Sequence, residues 1–158
     1  MKRFNEFLDK LLFWACSGLM LAMVTLIFAQ VIARYVFTNS LTWSEELGRF
    51  IFVWMSFIGM AVAFRADRHV ALDLLLRHLG PAKQRLLNTF NNLCILVFAL
   101  AVAWSGFKLM AMAMRQFSPA MKVSMADVYI IMPIGGLLLA YFVILKLIEA
   151  VKSRGEKQ

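Results

Sequence analysis

The chain has 158 residues, 62% of them hydrophobic, and a mean hydropathy of +0.75. A soluble domain is only about 45–50% apolar, so composition excludes a soluble fold and leaves an all-α integral membrane protein. A formal net charge of +8 would raise nucleic acid as a partner of a soluble chain; here the basic residues bracket apolar runs, and no nucleic-acid partner is expected.

Four apolar stretches predict four transmembrane helices, over about 11–33, 42–65, 86–114 and 126–148, in a single membrane domain covering 1–158. The first follows Lys2, Arg3 and Lys10 but is longer than a signal peptide's apolar core and lacks a small-x-small cleavage site, so it reads as an uncleaved helix. Within it Gly18, Ala22, Thr25, Ala29 and Ala33 recur every three or four residues, a stripe that permits close helix approach. Asn39 and Ser40 then break the chain before the second span.

The stretch over 41–73 carries the densest signal. Thr42 and Glu45 fit a capping box. Arg49 lies one turn from both Glu45 and Glu46, so the spacing predicts one ion cluster at the helix start, with Trp43 as an interfacial anchor. The apolar run over 50–64 would span roughly 22 Å, short of a ~30 Å hydrocarbon core. The charged first turns must therefore lie at or just inside the membrane edge, where charge is costly unless paired. Ser56, Gly59 and Ala63 form a second packing stripe, opposite the bulkier Phe50, Trp54, Phe57 and Phe64.

Residues 67–79 predict a short amphipathic interfacial helix. His69, Asp73 and Arg77 make its polar face and leucines cover most of the rest, before Gly80 and Pro81 end it. His69 and His78 are out of phase on such a helix, so no metal or haem is expected there. The third span has its own small stripe, Ala99, Ala103 and Gly106, and leads into methionines at 110, 112, 114, 121 and 125, which suit an adaptable surface. Ser118-Pro119 marks a turn. Ser124, with Asp127 three residues on, predicts a cap for the last span, where Pro133 and Gly135-Gly136 permit a kink or close approach.

Cys16 and Cys94 sit within apolar helices without metal-type spacing, and no phosphate loop or nucleophile–base pair occurs, so neither cofactor nor enzyme activity is expected. Basic residues dominate the N-terminus, the loop between the second and third spans, and the C-terminus, whereas Arg34, Arg49, Lys108, Arg115 and Lys122 are spread over the other side. The positive-inside rule predicts both termini in the cytoplasm.

In order along the chain, the motifs Trp43-x-Glu45-Glu46-x-x-Arg49, Gly59-x-x-x-Ala63-x-Arg65-x-x-x-His69-Val70-x-x-Asp73, Ser118-Pro119-Ala120 and Tyr129-x-x-x-Pro133-x-Gly135 resemble the small, DctQ-like membrane subunit of tripartite ATP-independent periplasmic (TRAP) transporters. The match departs where the family often continues Ser/Thr-Pro-Ala into a second proline and a tryptophan, and Ser124 and Asp127 stand here instead. The resemblance implies a bacterial inner-membrane scaffold for a large elevator-type permease subunit. That subunit would import an organic anion, of dicarboxylate or sialic acid type, with sodium, after delivery by a periplasmic binding protein. It also implies that Trp43, Glu45, Glu46, Arg49, Arg65, His69 and Asp73 form the interface to partner or lipid, while Gly18, Ala22, Thr25, Ala29, Ser56, Gly59 and Ala63 pack helices. Scarce mid-span polar groups agree: Thr25, Ser56 and Ser105 are the most polar. The alternative is a self-sufficient four-helix carrier acting as a homodimer around Glu45 or Glu46; a haem or quinone anchor would need histidines inside the spans.

Overall fold

The computed structural model describes residues 2–37, 41–66 and 81–155. Five helices are seen there: α1 (Lys2–Tyr35), α2 (Thr42–Arg65), α3 (Pro81–Ala113), the short α4 (Met125–Tyr129) and α5 (Ile131–Gly155). Four stretches are long and apolar enough to cross a membrane, Asn5–Tyr35, Thr42–Arg65, Leu86–Ala113 and Met125–Ala150. The chain is therefore all-α, with no strand among the described residues. The expected interfacial helix over 67–79, with His69, Asp73 and His78, lies outside the described residues. Helix α2 has 24 residues and reaches about 36 Å. It is long enough to cross because its first turns, with Glu45, Glu46 and Arg49, and its last residue, Arg65, are helical too.

The long helices neighbour one another in the order α1, α2, α5, α3, and the start of α1 also reaches α5 through the Tyr141–Asn5 hydrogen bond. α1 and α2 run antiparallel in continuous contact. Asp9 meets Arg65 at one end, Cys16 faces Gly59, Leu26 faces Gly48, and Gln30 meets Glu45 at the other end. α5 then lies beside α2, with Gly135 against Phe57 and Phe142 under Arg65. The apolar core forms along this seam, around Ile58, Ala61, Phe64, Leu139, Phe142 and Val143.

α3 and α5 make the closest approach. A Cβ on Gly136 would stand 2.8 Å from the Ala103 nitrogen and 2.9 Å from the Ala99 carbonyl oxygen. One on Gly106 would stand 2.7 Å from the Pro133 ring. The small stripe of the third span thus seats Gly136 and Pro133, so that backbones touch where side chains would hold helices apart. Burial follows this order. In its most apolar stretch α5 is half buried, whereas α1 is 6% buried and presents Trp14, Leu21, Phe28 and Tyr35 outward.

Candidate functional site

The best-defined polar site lies where α2 begins. Helix α2 starts at Thr42 behind Leu41, and no side chain caps it; the Ser44 hydroxyl bonds the Leu41 carbonyl at 2.7 Å instead. The expected capping box is absent because Leu41, not Thr42, stands at the N-cap, and the Glu45 carboxylate turns toward α1, where it accepts a hydrogen bond from the Gln30 amide at 3.2 Å. Successive helical positions point about 100° apart, so Glu46 cannot share that direction. It faces the connection between α3 and α4 and is only 5% exposed.

That connection is a tight reversal. Phe117 and Ser124 form an antiparallel bridge, and Met125 donates its N–H to Gln116 at 2.9 Å. Inside it Ser118 donates to Val123 and Lys122 donates back to Ser118, with Lys122 at φ 56° in the left-handed region. The reversal thereby turns three donors toward α2. Glu46 Oε2 accepts the Ser118 hydroxyl at 2.6 Å and the Met121 N–H at 3.0 Å, and Oε1 accepts the Ala120 N–H at 3.0 Å. Pro119, which has no N–H, precedes these two amides, so the carboxylate engages consecutive donors just beyond it. Hydrogen bonds to an ionised acceptor are roughly twice as strong as neutral ones, and here they, rather than an ion pair among the described residues, compensate most of a buried charge.

This geometry corrects the expected ion cluster. Arg49 is exposed, and its Nε donates to the Glu45 backbone carbonyl at 3.4 Å, not to either carboxylate. An ion pair does form between Arg65 and Asp9, at 3.1 Å, a link between α2 and the start of α1. Trp43 is exposed at the edge of α2. Of the residues expected to pack helices, Gly59 faces Cys16 across the α1–α2 seam. Gly18, Ala22, Thr25 and Ala29 lie on an exposed face of α1, with nothing within 4 Å of a Cβ on Gly18. Thr25 and Ser56 return their hydroxyls to their own helices, at Leu21 and Phe52, and Ala63 is exposed.

Three links escaped sequence reasoning: Glu46 with Ser118, Asp9 with Arg65, and the Tyr141 hydroxyl donating to buried Asn5 at 2.9 Å. Each joins residues far apart in the chain. Only the Ser118 turn gave a local signal. The expected cap at Ser124 does form, its hydroxyl accepting from the Ala126 N–H at 3.3 Å.

The model of the DctQ component of tripartite ATP-independent periplasmic transporters matches residues 23–153. The chain belongs to this family. It is the small permease subunit of a TRAP transporter, a multi-pass membrane protein of a transport family rather than an enzyme. A TRAP transporter small permease protein of Haemophilus influenzae is 27% identical over 154 residues, covering 96% of this chain and 94% of that one. The C4-dicarboxylate TRAP transporter small permease protein of Vibrio cholerae is 31% identical over 99 residues, 62% of this chain and 42% of the relative. The sialic acid TRAP transporter permease protein SiaT of Haemophilus influenzae is 34% identical over 92 residues, 58% of this chain but 15% of that longer protein. In this DctQ-family chain two segments that the sequence keeps apart are joined in one clasp, Glu46 of α2 on one side and Ser118, Ala120 and Met121 on the other.

Proposed function

We propose that this chain is the static scaffold of its transporter, seating a large elevator-type permease subunit in the bacterial inner membrane. The large subunit carries the solute and sodium, and a periplasmic binding protein delivers an organic anion. The observation that carries this reading is the bare apolar length of α1, 6% buried beside a half-buried α5. An edge helix with an outward stripe of small residues suits a helical neighbour. The similarity to a short stretch of a much longer permease protein supports the same partner, since a small-permease sequence there shares one polypeptide with the rest. Relatives named for sialic acid and for C4-dicarboxylates both support an organic anion. The distribution of Lys and Arg supports cytoplasmic termini, which sets the Glu46 clasp at the periplasmic edge.

A carrier working alone would need an accessible acidic group, yet the Glu46 oxygens already face three donors and Glu45 sits at a helix end beside Gln30. Reconstitution of this subunit alone, and together with the large permease and the binding protein, tests the proposal. Sodium-driven solute uptake is expected only from the full set; uptake by the lone subunit overturns it.

A further inference from the structure

Where α1 begins and α2 ends, the packed helices leave an open groove of about 430 Å³. Its lining is divided. Asp9 and Arg65 stand on it as neighbouring opposite charges, while Leu12, Phe13 and Val62 supply an apolar wall. Arg65 reaches Asp9 through Nε alone, at 3.2 Å to Oδ1 and 3.1 Å to Oδ2, so the four N–H groups on its two Nη atoms lie outside that bond. Both charged side chains remain about one-third exposed, and the guanidinium lies 5.8 Å from the Phe142 ring centroid, which fixes its position. Arg65 is the last residue of α2, and Asp9 precedes the apolar run of α1, so the pair stands at headgroup level with the apolar wall directed into the bilayer.

The geometry points to a binding site for one phospholipid whose headgroup carries both a phosphate and an N–H-bearing ammonium, phosphatidylethanolamine. The phosphate sits on the Nη donors of Arg65, the ammonium donates to Asp9, and an acyl chain follows Leu12, Phe13 and Val62. Charge complementarity selects this lipid. A phosphatidylglycerol headgroup would satisfy Arg65 but place its only charge beside the Asp9 carboxylate. Phosphatidylcholine has the right charges, but its quaternary nitrogen has no N–H to donate. The site lies at the opposite end of α2 from the Glu46 clasp.

Native mass spectrometry of the delipidated full-length chain, titrated with phosphatidylethanolamine, phosphatidylglycerol and phosphatidylcholine of matched acyl chains, tests the assignment. Phosphatidylethanolamine is expected to bind roughly tenfold more tightly than either competitor, the ratio that one hydrogen bond to a charged group supplies. Asp9→Asn should bring it down to the phosphatidylcholine level, and Arg65→Gln should weaken all three. Ala66→Trp, at an exposed lining position, should narrow the groove and reduce retention without lowering the unfolding temperature in detergent. Equal binding of the three lipids, a preference for phosphatidylglycerol, or selectivity that survives Asp9→Asn would overturn the proposal. So would undiminished retention by Ala66→Trp.

Discussion

The Glu46 carboxylate accepts the Ser118 hydroxyl at 2.6 Å, joining residues 72 positions apart. One buried acid at the start of α2 thereby fixes the reversal that leads into the last span. Its oxygens also hold the Ala120 and Met121 amides, so the position of α4 and α5 relative to α2 is set at this edge by hydrogen bonds as well as by the apolar seam below.

Glu46→Ala removes the acceptor for three donors at once. A loss of about 2–3 kcal/mol is expected, because the two amides are partly buried and water can replace only some of the bonds. Glu46→Gln keeps the shape but turns one oxygen into a donor facing an N–H, so it should fall between wild type and Ala. Thermal unfolding in detergent measures both. Cleavage by a protease within 115–124 should rise in the same order.

Arg49→Ala should be milder than Glu46→Ala. Arg49 is exposed and makes a long bond to a backbone carbonyl, and exposed charges of this kind contribute about 0–1 kcal/mol. If both variants unfold at the same temperature, the clasp has less weight than its geometry implies.

Gly136→Ala should separate α3 from α5. The added methyl would meet the backbone of Ala99 and Ala103 at 2.8–3.0 Å, and backbone cannot rotate away as a side chain can. Overpacking of this kind costs about 1–3 kcal/mol. A cysteine pair placed across the α3–α5 seam should crosslink less efficiently in the variant.

Gly18→Leu tests the scaffold role separately from the fold. Nothing lies within 4 Å of a Cβ at this position, so the isolated subunit should change by no more than about 0.5 kcal/mol. If α1 is the face that seats the large permease, copurification with it should drop sharply. Unchanged copurification would move the seat to another surface.

Tyr141→Phe should cost about 1 kcal/mol by deleting the hydroxyl that serves buried Asn5. The defect should appear as lower unfolding temperature, with the Glu46 end of the molecule unaffected.

What the sequence made legible was local. Apolar runs announced four helices long and apolar enough to cross, since that property needs only length and composition. The stripe at Ala99, Ala103 and Gly106 announced a close contact, although not that α5 would be the neighbour. The acidic pair misled for a physical reason. Spacing along a helix suggests partners one turn away, and Arg49 met that test for both carboxylates. The fold offered Glu46 three converging donors from a distant loop, and the 100° step between adjacent positions sent Glu45 toward Gln30. Thr42 likewise satisfied a capping pattern but became the first helical residue, behind Leu41.

The side-by-side order of α1, α2, α5 and α3 has a consequence for permeation. Among the described residues no ring of helices closes around an axis, so these helices enclose no lumen of their own. On the proposed scaffold reading the large permease completes any aqueous passage, substitutions in this chain alter transport by tilting or loosening one wall of it, and selectivity belongs to the subunit that faces that wall.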